Sequence, residues 1–476
     1  MFDAIPFEEI WSRSGVSSIQ KEAVSSFIRF LERRLHARVV YDRAVIPFQK
    51  PELLDLFSVA ETLHAAGVIQ TIQLTESLPD EPPLYIWSAS CVRDYAVREN
   101  LIASGISFDN ERVALTTALA EAVERHVWAS RVDYFAAQKK ATAESMRRKR
   151  VAALDLERLV GLPQKSSPEQ KFLWIRGDSL ISKRPLWVPA QLVSGNPGVL
   201  TSLNEPLLRE QNTNGCAGGK TKEAAILQGA LEAIERDAYM ILWLNRLILP
   251  RINVEQLALR SASLSRLMKL CVRYRLIPQV IRMLTDAPTY ALAVVLEDES
   301  GMTPNMSLGL KAHRDPAQAA EGALLEALRI RPDIRAMENE TPKEVQEQIA
   351  DIGHFDRLRY WTKHNRAKGL AFLTAGPTVN LTAESWESDT DEEHLARIVS
   401  WCREKGYECV SVSLTKSEGN PTPWHLERVI IPELQPLYLK EKNRPVDGLR
   451  VNEIPKQFGY LVEKEAHSSE EPHPFA

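Results

Sequence analysis

Cysteine is scarce and unpaired in this sequence: its five copies, Cys91, Cys216, Cys271, Cys402 and Cys409, include no C-x-x-C spacing. That excludes the common zinc patterns and a secreted disulfide framework, and it points to a reducing compartment, the cytoplasm. Long hydrophobic runs are missing too, since no stretch approaches the ~18 apolar residues of a membrane span. The start, Met1-Phe2-Asp3-Ala4-Ile5-Pro6, lacks the basic-then-apolar order of an export signal. Charge of one sign is not in excess: 59 Lys and Arg against 63 Asp and Glu give −4, so no overall basic field recruits nucleic acid or membrane. What remains is an ordinary globular composition, 44% hydrophobic and 26% charged over 476 residues. That length suits two or three domains, or one large domain with an N-terminal extension.

Three stretches nearly copy one another: Thr117-Ala118-Leu119-Ala120-Glu121-Ala122-Val123-Glu124-Arg125, Gln228-Gly229-Ala230-Leu231-Glu232-Ala233-Ile234-Glu235-Arg236, and Gly322-Ala323-Leu324-Leu325-Glu326-Ala327-Leu328-Arg329-Ile330-Arg331. The first two share a polar residue, Glu four on, Glu three further and Arg next. On a helix those positions fall within roughly a 100° arc. Their neighbours are Ala, Leu, Val and Ile, so the acids sit amid apolar residues instead of opposite them. Two such helices face to face would gather four carboxylates, which at ~4–5 Å repel by several kcal/mol per pair at an effective dielectric near 20. A cation must join them, and hard oxygen ligands suit Mg²⁺, which commonly also holds phosphates. One E-x-x-E-R alone would read as a solvated salt-bridge ladder; two copies in apolar context argue otherwise.

Residues 1–60 read as a mixed N-terminal extension open to a partner contact, with a helix over 23–35 and a strand over 37–41. A strand is expected at 84–87 after Pro82-Pro83, and the first repeat helix near Asn110. Residues 139–159 read as helical; their basic run, Arg147 to Arg150, is a solvated face or a peptide contact. Residues 189–211 read as a loop, 291–296 as a buried strand, 298–301 as a hairpin turn and 306–310 as its partner strand. The third helix starts behind Asp315-Pro316. Residues 409–414 alternate as a half-exposed strand, and 428–431 form another, stopped by Pro432. Paired strand and helix units of this kind imply an α+β fold with internal duplication.

Gly218-Gly219-Lys220-Thr221 imitates a Walker loop, but Asn214 stands where that loop needs its first glycine. The small-residue loop Asn214 to Gly219 still precedes a helix, where backbone N–H groups favour an anion. Asn214, Glu223 and Gln228 add polar side chains, so a nucleotide could be held in a non-Walker manner.

Asn212 to Gly219, Glu223-Ala224 and Glu232 to Ala238 together resemble the signature of the YcaO superfamily, over roughly residues 60–476. The other repeats match its remaining glutamate helices, Arg428 to Leu437 its late strand-and-proline element, and Pro472-His473-Pro474-Phe475 the proline-rich tail of azoline-forming members. The resemblance implies a YcaO-type fold over 61–476 around an ATP site. It implies Mg²⁺ on Glu121, Glu124, Glu232 and Glu235, and ATP contacts from Thr117, Arg125, Asn214, Glu223, Gln228, Arg236, Glu326 and Arg331. Arg125 and Arg236 would meet phosphate oxygens in catalysis, and the α-carboxylate of Ala476 would be a proton acceptor. Departures are Thr117 for the usual Ser, Arg329 for a common Gln, Glu433 for a usual Gly, and a tail without a final proline.

The implied reaction is ATP-dependent cyclodehydration of Cys, Ser or Thr in a ribosomally made precursor peptide, as in thiazole/oxazole-modified microcins and related bacteriocins. Implied partners are the precursor peptide, a ThiF-like leader-binding protein and an FMN-dependent azoline dehydrogenase, around a homodimer of this chain. Alternatives are backbone thioamide or amidine formation by the same activation, or a non-catalytic nucleotide-binding scaffold. The proline-bearing tail favours azoline formation, and intact carboxylates at four positions count against a scaffold. His126, His313 and His425 are isolated and do not read as ligands. Cys216 reads as a small buried residue, and Trp128, Trp243 and Trp424 as packing.

Overall fold

Two contact units divide the chain: residues 1–93 with 99–126, and residues 94–98 with 127–476. The computed structural model describes residues 50–475 except 76, 92–101, 130–137, 163–166, 339–351, 353–356, 359, 362–366, 416–423, 446–447 and 463–470. The helix and strand expected within 1–41 lie outside the described residues. The boundary expected at residue 60 falls inside helix α1, Leu54–Ala65, whose Leu56, Phe57, Ala60 and Leu63 form one buried face. A division there would split a single apolar surface.

In the first unit, β1 (Ile69–Thr75), β2 (Tyr85–Cys91) and β3 (Ile102–Ser107) form an antiparallel sheet with β2 central. Phe57 of α1 meets Trp87 of β2 edge-on, with ring centroids 6.0 Å apart. Helix α2, Glu111–Ala129, follows the loop at Asn110 as expected, and the Asn110 side chain accepts the Val113 N–H at 3.3 Å.

The second unit runs through β4 (Gln138–Thr142), α3 (Ala143–Arg148), β5 (Lys171–Ser179), β6 (Arg184–Pro189), β7 (Cys216–Gly219) and α4 (Lys222–Leu244). Next come β8 (Arg251–Ile252), α5 (Val254–Arg260), α6 (Ala262–Arg273), β9 (Leu276–Arg282), β10 (Tyr290–Asp298), β11 (Met306–His313) and α7 (Pro316–Glu338). It closes with β12 (Thr378–Val379), α8 (Asp391–Glu404), β13 (Val410–Ser413), β14 (His425–Ile430) and α9 (Leu449–Gln457). Two sheets result, β11-β10-β9-β8-β12 and β4-β5-β13-β14-β7, with β6 paired to β5. The fold is α+β, as the alternation of patterns implied.

Helix α4 joins the two sheets. Its N-terminal half packs with α8 and β14 through Ile226, Leu227, Leu231 and Ile234. Its C-terminal half, Ala238 to Leu244, packs with Ala291, Ala293 and Val295 of β10. From Asp237 to Leu244 every residue of α4 is buried, the state of a helix segment enclosed on all sides. Thr221 caps it, accepting the Ala224 N–H at 3.1 Å.

Two expectations are corrected. Residues 139–159 are not one helix: 138–142 pair with β5, and α3 ends by 148. Arg150 takes φ 53°, a left-handed turn that stops α3, while Lys139 lies over the Trp187 ring at 4.3 Å. Strand β13 is not half-exposed either, since Val410, Ser411 and Val412 are all buried; it lies between β5 and β14 in the middle of its sheet.

The repeats share a contact that their sequence did not announce. In each, a strand glycine or glycine turn lets the helix backbone lie directly against the strand. A Cβ on Gly105 would come within 1.9 Å of the Ala114 carbonyl oxygen, and one on Gly309 within 2.0 Å of the Ala323 oxygen. Gly215, at φ +81°, and Gly229 meet in the same way, with Gly229's would-be Cβ 2.7 Å from the Gly215 oxygen. The approach brings each helix's first motif glutamate to a strand or loop N–H. Ser104 donates to Glu121 at 2.9 Å, Gly215 to Glu232 at 2.9 Å, and Leu310 to Glu326 at 2.6 Å. Gly309→Ala is therefore expected to cost about 1–3 kcal/mol by overpacking backbone against backbone, measured as a fall in denaturation midpoint.

Candidate active site

The second unit gathers three carboxylates and two cationic side chains. Gln228, Glu232, Glu235 and Arg236 share one arc of α4, and the carboxylates are fixed from different directions. Glu232 takes the Gly215 N–H through Oε2, while Oε1 lies 3.3 Å from Arg236 Nη2. Glu235 is 4% exposed; its Oε2 accepts the Ala312 N–H of β11 at 2.6 Å and its Oε1 lies 3.4 Å from Arg236 Nη1. Glu326 of α7 and Lys311 of β11 act electrostatically on Glu235, and Glu326 acts on Arg236.

Burial raises the Glu232 carboxyl above its usual range and Glu235 adds to the rise, against Arg236. Glu235 is raised by burial and by the Glu326 charge, against Arg236 and Lys311. For Arg236, burial opposes the charge, but Glu235, Glu232 and Glu326 outweigh it. The cluster thus holds more negative charge than its own cations neutralise comfortably.

In the first unit, Thr117, Glu121, Glu124 and Arg125 lie on one arc of α2. Arg125 donates to Glu121 Oε1 through Nε at 2.9 Å and Nη2 at 2.6 Å. Thr117 is exposed and Glu124 half-buried. This repeats the Glu232–Arg236 pair at the same i, i+4 spacing.

Asn214 is held beside the loop, its side-chain amide donating to the Leu437 oxygen at 3.1 Å. Glu223 is exposed in the first turn of α4, off the arc of the other acids, and Gln228 is half-buried. Arg331 is placed differently from the expected nucleotide contact. It is 1% exposed, pairs with Asp298 at 2.5 Å and donates to the Pro304 oxygen at 3.1 Å. We assign it to holding the β10–β11 hairpin on α7, which leaves its guanidinium no face toward a ligand. Glu433 accepts the Glu408 N–H at 3.2 Å and pairs with Arg158, so the late-loop carboxylate ties two loops. The Walker-like segment is not a phosphate loop: Gly218 and Gly219 pair with β14, and Thr221 is a helix cap.

Ala476 lies outside the described residues. Its neighbour Phe475 is buried, with the Arg236 guanidinium 4.4 Å from its ring centroid. The tail is anchored upstream, where Trp361 Nε1 donates to the Pro472 oxygen at 2.8 Å and Arg357 to the His473 oxygen at 3.1 Å. His473 is fully buried and contacts the Tyr438 oxygen at 2.6 Å. Lys311 and Arg357 were not singled out from sequence, and Phe475 was named only as part of the tail. Only the Pro-x-Pro spacing of the tail hinted at a fixed segment; Lys311 and Arg357 carry no local signal.

Do these residues suit a nucleotide and a metal? Among the described residues Arg236 Nε is buried without a hydrogen-bond partner and Nη1 has only the 3.4 Å approach of Glu235 Oε1, which leaves donor capacity for an anion such as a phosphate oxygen. The acids supply only hard oxygen donors, the set that Mg²⁺ takes. Among the described residues no three such groups already converge as a metal cage; Arg236 lies between Glu232 and Glu235 instead. By the chemistry of the donors, both groups fit.

Hard oxygen donors beside a buried arginine are compatible with an ATP- and Mg²⁺-binding protein. The sequence model of the YcaO family, described as an ATP- and Mg²⁺-binding cyclodehydratase, matches residues 109–435, and the chain belongs to this family. A protein described as uncharacterized from Methanothermobacter thermautotrophicus is 27% identical over 289 residues, covering 59% of this chain and 70% of the relative. Another, described by its place in the tfuA 3′ region of Rhizobium leguminosarum bv. trifolii, is 32% identical over 142 residues, 29% of this chain and 31% of the relative. Among solved structures, a heterocyclase in complex with substrate and cofactor superposes with a TM-score of 0.70 at 20% identity, over 88% of this chain. This chain spans only 57% of that heterocyclase. YcaO from Methanopyrus kandleri bound with AMPPCP and Mg²⁺ gives a TM-score of 0.59 at 20% identity, over 84% of this chain and 94% of that one. The Escherichia coli microcin synthetase McbBCD complex with pro-MccB17 bound gives 0.58 at 12% identity, over 86% of this chain and 97% of that one. At these identities the likeness concerns the fold.

The raised carboxyls set a pH dependence. With folded values above the unfolded 4.5, ionised Glu232 and Glu235 lower the stability of the ligand-free protein at neutral pH. Stability returns as pH falls through the folded values and is complete near the unfolded one. Glu235→Gln is expected to melt no lower than wild type at pH 7–8 without ligand, to lose this advantage toward pH 4.5, and to lose the stabilisation that Mg·ATP gives wild type. Thermal melts across pH, with and without Mg·ATP, measure all three.

Proposed function

We propose that the chain is an ATP-dependent peptide cyclodehydratase that converts Cys, Ser or Thr residues of a ribosomally made precursor to azolines. The observation that carries this is Arg236: a buried guanidinium set among Glu232, Glu235 and Glu326, whose Nε has no hydrogen-bond partner among the described residues. We assign Glu121, Glu124, Glu232 and Glu235 to Mg²⁺, and Thr117, Arg125, Asn214, Glu223, Gln228, Arg236 and Glu326 to the nucleotide. Bound Mg²⁺ would neutralise phosphate charge there.

A substrate thiol or hydroxyl gives up its proton and attacks the preceding amide carbon, closing the ring through a new S–C or O–C bond and leaving an oxyanion. That oxygen takes the γ-phosphoryl group and ADP departs. Phosphate then leaves with the former amide oxygen, the nitrogen loses its proton, and a C=N bond completes the azoline. The net change is loss of one water from the peptide and one ATP converted to ADP and phosphate. Arg236 and Arg125 suit the developing phosphate charge, as in other phosphoryl transfers, where positioning and charge neutralisation supply most of the catalysis. The tail brings the Phe475 ring onto the Arg236 guanidinium, 4.4 Å from its centroid.

The microcin synthetase neighbour is a complex that holds a pro-peptide. By analogy we propose that this chain works in a complex as a homodimer, with a ThiF-like partner to dock the precursor and an FMN-dependent dehydrogenase to oxidise azolines. Peptide mass and phosphate release, followed together with chain, partner, Mg·ATP and candidate peptides, test the reaction. Loss of one water per phosphate released is expected. Exchange of amide oxygen for sulfur, given a sulfur donor, would instead assign backbone thioamidation. Phosphate release with unmodified peptide would overturn the assignment.

A further inference from the structure

A cavity of ≈30 Å³ opens in the second unit between the β10–β11 hairpin, α7, the side chains of Leu358, Trp361, Leu370 and Leu373, and Pro474 of the tail. At 10–15 Å³ for each water-sized probe, it has room for about two or three waters. Most of its wall is buried and apolar: Val295, Trp361 and Leu373 are 1%, 6% and 1% exposed. Its polar groups are Ser307, Glu326 and Arg329.

Three observations separate this space from an ordinary packing defect. Ser307 is 6% exposed and its buried hydroxyl has no hydrogen-bond partner among the described residues, an uncommon state for a buried polar group. Glu326, which the cavity touches, is the carboxylate of α7 that acts on both Glu235 and Arg236. Pro474 forms part of the wall, and the next residue, Phe475, lies on Arg236. The cavity therefore adjoins the carboxylate and arginine cluster from the side that the tail covers.

We infer that this cavity is a substrate subsite, which takes the side chain of the peptide residue whose carbonyl oxygen is phosphorylated, and that it admits only small side chains. This rests on the proposed reaction. A carbonyl presented to the Glu326 and Arg236 end has its own Cβ three bonds from the reacting oxygen, so the nearest recess receives that residue's side chain and not one further along. The volume excludes an aromatic ring, and the Ser307 hydroxyl supplies one hydrogen bond for a polar atom such as a Ser hydroxyl. Chemistry at the ring-forming residue stays outside the recess and free to close on the amide carbon.

The test uses the full chain with its partner and peptides that differ only at the residue before the ring-forming Cys: Gly, Ala, Ser, Val or Phe. Peptide affinity is measured with Mg²⁺ and a non-hydrolysable ATP analogue, and kcat/KM with Mg·ATP. Wild type is expected to prefer Ala and Ser over Phe by about tenfold or more, the scale that a few methylenes command in a closed pocket. Leu373→Ala, which enlarges the recess, should raise the Phe peptide relative to Ala. Ser307→Val, which fills it, should lower Ala and Ser relative to Gly. Should Leu373→Ala fail to fold, Ser307→Val carries the decision alone. Modification that proceeds with the same residue preference in wild type and in these variants overturns the subsite. The expected preference in binding, with no water lost from any peptide, keeps the subsite and overturns the reaction. Absence of any binding preference and of any modification overturns both.

Discussion

The carboxylate-to-backbone hydrogen bond, made once in each repeat between a helix glutamate and the N–H of the strand or loop before it, is the contact on which the site depends. It spans 17 residues in the first two repeats and 16 in the third. Such a bond needs the helix axis closer to the strand than side chains normally allow, and Gly105, Gly215 with Gly229, and Gly309 provide that approach. It does two things together. It takes an acid that would otherwise lie unsatisfied in an apolar face and gives it a donor, and it fixes that carboxylate's direction. One oxygen is then committed to the fold and the other is left to meet arginine, or a metal, on the far side.

Charge follows from this placement. Enclosing α4 between two sheets puts Glu232 and Glu235 where ionisation is disfavoured, and the arginine one turn on from Glu232 answers only part of that cost. A few residues away the same helix shows a fully answered case: Asp237 is paired with Arg450, which also meets Asp286, and Lys405 meets Asp286 in turn. That network closes on itself and reads as structure. The Glu232, Glu235, Glu326 and Arg236 cluster is less complete, because Arg236 Nε has no hydrogen-bond partner among the described residues. Incomplete satisfaction next to a complete network, on one rigid helix, supports the ligand role proposed for Arg236.

The tail belongs to the same logic. Arg357, buried and donating to backbone oxygens of the tail and of the 437–441 segment, holds an extended stretch that has no sheet partner. Its prolines limit the conformations to be frozen, and its Phe475 ring covers one face of Arg236. An arginine stacked on one side and paired with carboxylates at its tip has few orientations left, which is the kind of restraint a transferring phosphoryl group needs from its surroundings.

Much of this was legible in the chain order of residues. Periodicity found the three glutamate helices, the buried β10 and its hairpin, because each is a local pattern with its own start and stop signals. The YcaO resemblance rested on Asn212 to Ala238, one continuous stretch, for the same reason. Residues 139–159 misled because a charged run looks alike on a helix face and on a strand, and only pairing with β5 and the left-handed Arg150 distinguish them. Arg331 misled because helical position says which side a residue faces but not what waits there; Asp298 comes from the turn of the hairpin 33 residues earlier. The sequence by itself determined which residue types stand together on each helix and hence the class of chemistry. Only the tertiary structure decided which glutamate bonds to which strand, that Lys311 and Phe475 join the second unit's cluster, and that a small recess adjoins it, since those contacts join segments far apart in the chain.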